Sequence, residues 1–89
     1  MNIVSIDAIV KKLVGIGEKT YGEAKAISDE ALDITKQFNL GSLSQADYQE
    51  LMNDLAIEKL ELITADEMVI KQELYSIFLD IKNAASFIP

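Results

Sequence analysis

Residues 15–22 read GIGEKTYG, two glycines followed by a Lys-Thr pair. In a similar order, backbone N–H groups and a lysine can cradle a phosphate. A phosphate loop needs Gly, four residues, then Gly-Lys-Ser/Thr, set between a buried strand and a helix. Here Glu18 separates Gly17 from Lys19, so a carboxylate stands where the anion would sit, and Lys11 or Lys12 takes the place of the leading glycine. The dinucleotide pattern Gly-x-Gly-x-x-Gly fails as well, because Thr20 occupies its third glycine position. The preceding residues have the spacing of an amphipathic helix, and the chain is too short for the parallel sheet such loops require. The stretch is expected to be a joint between two helices, with Gly15 and Gly17 stopping the first.

A second constellation is acidic. Asp47, Glu50, Asp54, Glu58 and Glu61 are spaced by 3, 4, 4 and 3. At ~100° per residue they fall within roughly 80° of one another on a helix. Such a stripe could dock a basic partner or collect divalent cations weakly, and it is also what a solvated helix face looks like. No glycine-kinked calcium loop is present. The chain has no His, Cys, Trp or Arg, and all eight basic residues are lysines. Without His, a bundle di-iron site of the Glu-x-x-His kind and a His-based nucleophilic triad are both excluded. Without Arg there is no bidentate fork for phosphate. No cofactor and no metal site is expected, and no enzyme.

The elements that must position these residues are helical. Proline occurs once, at residue 89, and no run alternates apolar and polar convincingly. Apolar spacing predicts an all-α single domain over 1–89, a bundle of three to four helices at about 5–14, 18–39, 44–63 and 65–84. In the first, Ser5 caps and Ile6, Ile9, Val10 and Leu13 share a side. In the second, Thr20, Ala24, Ile27, Ala31, Ile34 and Phe38 form the face. Gly41 suits a left-handed cap, and Ser44 with Asp47 opens the third helix, which is expected to bury Tyr48, Leu51, Met52, Leu55, Leu62 and Ile63. "TADE" at 64–67 reads as a further capping box, Thr64 with Glu67. The alternative is one continuous helix from 44 to 84, roughly 60 Å long. The hairpin of helices two and three plus the last helix should form the core, with the short first helix across one end.

The last helix is apolar on two sides. Ile70, Leu74, Ile77, Phe78, Ile81 and Ala85 make one face, while Met68, Tyr75 and Leu79 lie nearly opposite. Ile57 and Leu60 depart in the same way from the main face of helix three, and Phe87 and Ile88 follow with nothing obvious to cover them. With 49% of residues apolar in an 89-residue chain, this surplus points to a surface met by another chain. Net charge −7 disfavours nucleic acid and anionic membrane as partners. No spanning segment is expected, since no run approaches eighteen apolar residues, and the N-terminus lacks a signal-peptide pattern. The expected location is the cytoplasm, or a virion if the origin is a phage.

The stretch "KQFNLGSLSQADYQELMNDL", residues 36–55, resembles the short helical motif of SHOCT-type domains. The positions concerned are Gly41, Leu43, Ser44, Asp47, Tyr48, Leu51 and Leu55. In overall style the chain is similar to the small, lysine-rich, acidic helical proteins of tailed-phage virion and assembly genes. That resemblance implies a scaffold or adaptor without an active site, and no functional residue is carried over.

The expectation is a non-enzymatic structural or assembly protein that works through helix–helix contacts with itself or another component. Met68, Tyr75, Leu79, Phe87 and Ile88 are its candidate contact residues. The alternative is a small acidic regulator or inhibitor that binds a host protein through Asp47, Glu50, Asp54, Glu58 and Glu61.

Overall fold

Ile6, Ile9, Leu13 and Ile16 recur at three- and four-residue intervals, and in the computed structural model, which describes residues 2–89, all four are buried on one helix face. That stripe runs past both glycines. Helix α1 spans Ile6–Lys19, capped by Ser5, whose Oγ accepts from the Ala8 N–H at 3.2 Å. The expectation that Gly15 and Gly17 end the helix is therefore corrected. A helical glycine costs about 1 kcal/mol relative to alanine, and the burial of Ile16 between them outweighs that. A Cβ at Gly15 would meet nothing within 4 Å. Gly15→Ala is accordingly expected to stabilise the protein by about 0.5–1 kcal/mol, raising its thermal midpoint by several degrees. An unchanged or lower midpoint would count against an uninterrupted α1.

Helix α2, Gly22–Asn39, returns antiparallel to α1. Its contact face is small: Ala24, Ser28 and Ala31 with Ile27 between, all buried. Ser28 Oγ donates to the Leu13 carbonyl at 2.7 Å, and Lys25 Nζ to that of Gly17 at 3.4 Å. The helix ends as Gly41 predicts. Gly41 has φ +85°, its N–H bonds the Phe38 carbonyl and the Ser42 N–H that of Gln37, both at 3.0 Å, which is a Schellman closure.

Ser44 then caps helix α3, Gln45–Lys59, its Oγ accepting from the Asp47 N–H at 3.1 Å. Single 3-10 turns at Leu60–Leu62 and Ala65–Glu67 separate α3 from helix α4, Met68–Asn83. The chain thus breaks between 59 and 68, and the continuous 44–84 helix is not formed. Thr64 makes no side-chain capping bond, so the expected Thr64–Glu67 box is absent. The 3-10 turn also advances ~120° per residue instead of 100°. That change of phase buries Leu60 and leaves Leu62 exposed, contrary to the expected core, while Ile63 is buried as expected. Leu51, also expected inside, lies at the edge of the face made by Tyr48, Met52 and Leu55 and is exposed.

The four helices run up, down, up and down. Helix α1 lies lengthwise against α2 and α4 rather than across one end, as Lys19–Glu73 contact at the far end of α1 shows. At its near end Ile3–Ser5 and Ser86–Ile88 form strands β1 and β2, a parallel pair with Val4 opposite Phe87. Three-residue strands carry no readable alternation, and this clasp was not expected.

The clasp delivers Phe87 into an aromatic cluster. Phe38 and Tyr48 stack with ring centroids 4.4 Å apart, and Phe87 stands edge-on to both at 5.3 and 5.4 Å. The Tyr48 hydroxyl lies 2.9 Å from Thr35 Oγ1, which in turn donates to the Ala31 carbonyl at 2.8 Å. Gln49 closes the same end, its Nε2 donating to the carbonyls of Ile81 and Ala84 at 2.9 and 3.0 Å. The Ile81 carbonyl also accepts the Ala84 N–H at 3.3 Å, and Ala84 is the C-cap of α4, so Gln49 secures the carbonyls at the end of that helix.

Candidate functional site

Gly15, Gly17 and Lys19 belong to α1, and their N–H groups serve the helix. The joint is Thr20 and Tyr21, both extended, followed by Gly22 at φ +65°. Lys19 Nζ pairs with Glu73 on α4 at 2.9 Å. That pair lies beside a hollow of 450 Å³ that Lys12, Ser76 and Ile77 also line. A lysine already matched by a carboxylate offers an anion little.

The acidic stripe is formed as spaced. Asp47, Glu50, Asp54, Glu58 and Glu61 are all exposed on one side of α3 and its following turn. None of the five enters an ion pair among the described residues, where the pairs are Lys11–Asp7, Lys19–Glu73, Lys25–Asp29 and Lys59–Glu30. No cluster of three or more acidic side chains among those residues is arranged to hold a metal ion.

The apolar surplus has a definite place. Between α3 and α4 runs an open groove of 520 Å³, within the ~300–1,000 Å³ range of ligand clefts. Its floor is Ala56, Leu60 and Phe78. Its walls carry Ile57 from α3 and Met68, Tyr75 and Leu79 from α4. The wall residues are 66, 45, 57 and 40% exposed respectively. Four large apolar side chains left this open in one furrow differ from singly scattered surface hydrophobics. Glu61 stands at the α3 edge, and Lys71 and Lys82 on the α4 wall.

Helical geometry explains the furrow. Leu74, Ile77 and Ile81 turn the opposite side of α4 into the bundle and are buried, so positions 68, 75 and 79 must face away from it. Of the five contact residues expected from the sequence, Met68, Tyr75 and Leu79 come together here. Phe87 does not: it is half-buried against Phe38 and Tyr48. Ile88 is exposed on β2, at the clasp. Ile57 and Leu60, which depart from the main face of α3, supply the opposing wall and part of the floor, a pairing between helices that spacing within one helix does not encode.

Among the described residues no helix is long and apolar enough to cross a membrane. Compared with known proteins, the chain matches no family model, no curated protein and no solved structure.

Proposed function

We infer that the protein is a non-enzymatic structural or assembly module whose working surface is the α3/α4 groove. The observation that carries this reading is the exposure of Ile57, Met68, Tyr75 and Leu79 along one furrow over buried Leu60 and Phe78. Filling it with another helix would remove apolar surface from water at about 25 cal/mol per Å², in the helix-in-groove manner. An enzyme would need convergent polar groups with perturbed ionisation. The groove's polar members are a glutamate, two lysines and amides along its margins.

The chain's similarity in style to small tailed-phage virion and assembly proteins supports the same role, as a subunit or adaptor in a larger particle. The SHOCT-like turn from 36 to 55 then serves to set α3 against α2, and α3 carries one wall of the groove.

The test uses the tagged full-length chain in the cells that make it. Size exclusion of the gently lysed extract is expected to place it in a species well above its own 9.9 kDa. The double substitution Tyr75→Gln, Leu79→Gln should return it to its own mass with helicity unchanged by far-ultraviolet circular dichroism. Elution identical to that of the parent would sink the reading.

A further inference from the structure

Resting on that reading, we propose that the occupant of the α3/α4 groove is the same groove of a second copy of this chain, related by a two-fold axis that runs along the groove. Charge placement selects this occupant and this axis. Helices α3 and α4 are antiparallel, since Gln49 near the start of α3 bonds the carbonyls of Ile81 and Ala84 at the end of α4. Glu50 therefore lies level with Lys82, and Glu61 and Lys71 face the groove together near its other end. None of these four charges enters an ion pair among the described residues.

Two grooves can close face to face about either of two axes, both isologous. An axis across the groove sets α3 on the partner's α3, carboxylates against carboxylates and lysines against lysines, which is repulsive. An axis along the groove sets α3 on the partner's α4. Each acidic edge then meets the other copy's lysine wall at matching heights, Glu61 toward Lys71 and Glu50 toward Lys82, twice over by symmetry. Ile57 meets the wall that carries Tyr75. The product is a four-helix layer of two α3/α4 hairpins with the exposed apolar side chains enclosed.

The size is adequate. Helices of 15 and 16 residues are ~23 Å long at 1.5 Å per residue, in a molecule measuring 34 × 21 × 21 Å. A face of those proportions is of the order of the ~800 Å² that a standard interface takes from each partner. The net charge of −7 on each copy opposes association at long range, so the dimer is a concentration-dependent one.

The chain has no cysteine, which makes disulfide trapping unambiguous. The purified full-length protein is weighed by light scattering after size exclusion, up to about 1 mM so that even a weak dimer is populated. Mass should rise with concentration from monomer to dimer and stop there. Ile57→Cys and Gln72→Cys chains are then mixed and oxidised. The mixed disulfide should outpace both homo-disulfides severalfold, and Tyr75→Gln with Leu79→Gln should remove that preference.

Monomer at every concentration overturns the second copy as occupant. It leaves the assembly reading standing if the cellular species is still lost on the Tyr75/Leu79 substitutions. Predominance of the 57–57 disulfide overturns the axis. A dimer indifferent to Tyr75 and Leu79 overturns both the inference and the reading beneath it.

Discussion

Replacing Tyr48 with alanine is expected to lower stability by about 3–5 kcal/mol, the usual penalty for deleting a buried aromatic ring. Against the ~5–15 kcal/mol that holds a small domain together, that would leave little. The ring is fully buried, stacked on Phe38 and met edge-on by Phe87, so its loss also loosens the β1/β2 clasp that brings Phe87 in. Tyr48→Phe separates the ring from the hydroxyl. It keeps the stacking and removes only the bond to Thr35, whose Oγ1 still donates to the Ala31 carbonyl. The expected loss is about 1 kcal/mol. Urea unfolding of the three proteins measures both terms, and equal losses in the two variants would refute the packing role assigned to the ring.

The same hydroxyl gives the stability a pH dependence. Burial away from water pushes the Tyr48 phenol up from 10.0 to about 12, with the Thr35 hydrogen bond pulling weakly the other way. Between those values the unfolded chain has released the proton and the folded chain still holds it. Unfolding is then favoured by each step upward in pH. The contribution is fully present below pH 10 and is lost as the pH rises through 12, by roughly 2–3 kcal/mol. The informative quantity is the parent's profile minus that of Tyr48→Phe, which isolates the phenol from every other group. A flat difference would mean that the phenol is solvated.

How far the sequence foretold this molecule depended on whether a feature was local. Gly41 and Ser44 were legible because each cap is decided within five residues, by a left-handed glycine and a hydroxyl at the first free N–H groups. The break before α4 was legible in outline, but its phase was not, since a single 3-10 turn exchanges Leu60 and Leu62 between inside and outside. Gly15 and Gly17 misled because local propensity was outweighed by the burial of Ile16 between them. Ser28 and Thr35 share core spacing with Ala24, Ala31 and Ile27 and are buried with them, but nothing local in the sequence marks a polar side chain as buried. Their partners, the Leu13 carbonyl and Tyr48, come from other helices. The clasp of residues 3–5 with 86–88 is the extreme case: two tripeptides joined across the whole chain leave no periodicity to read.

The two-sided character of α4 was legible, and it leads to the sharpest contrast in expected effect. Leu74→Ala and Leu79→Ala delete the same atoms from positions five residues apart on one helix. Leu74 is fully buried and Leu79 is 40% exposed. The first should lower stability by about 2–5 kcal/mol, through lost transfer energy and the cavity left behind. The second should change it by no more than about 0.5 kcal/mol when measured on dilute, unassociated protein. On the proposed reading the order of importance reverses on association. Leu79→Ala is expected to remove part of the wall that a partner would cover and to weaken assembly, whereas Leu74→Ala should act on assembly only to the extent that it unfolds the chain. Denaturation midpoints taken at low and at high protein concentration separate the two roles. A comparable loss for both variants at low concentration would place Leu79 in the core and take the α4 wall of the groove away.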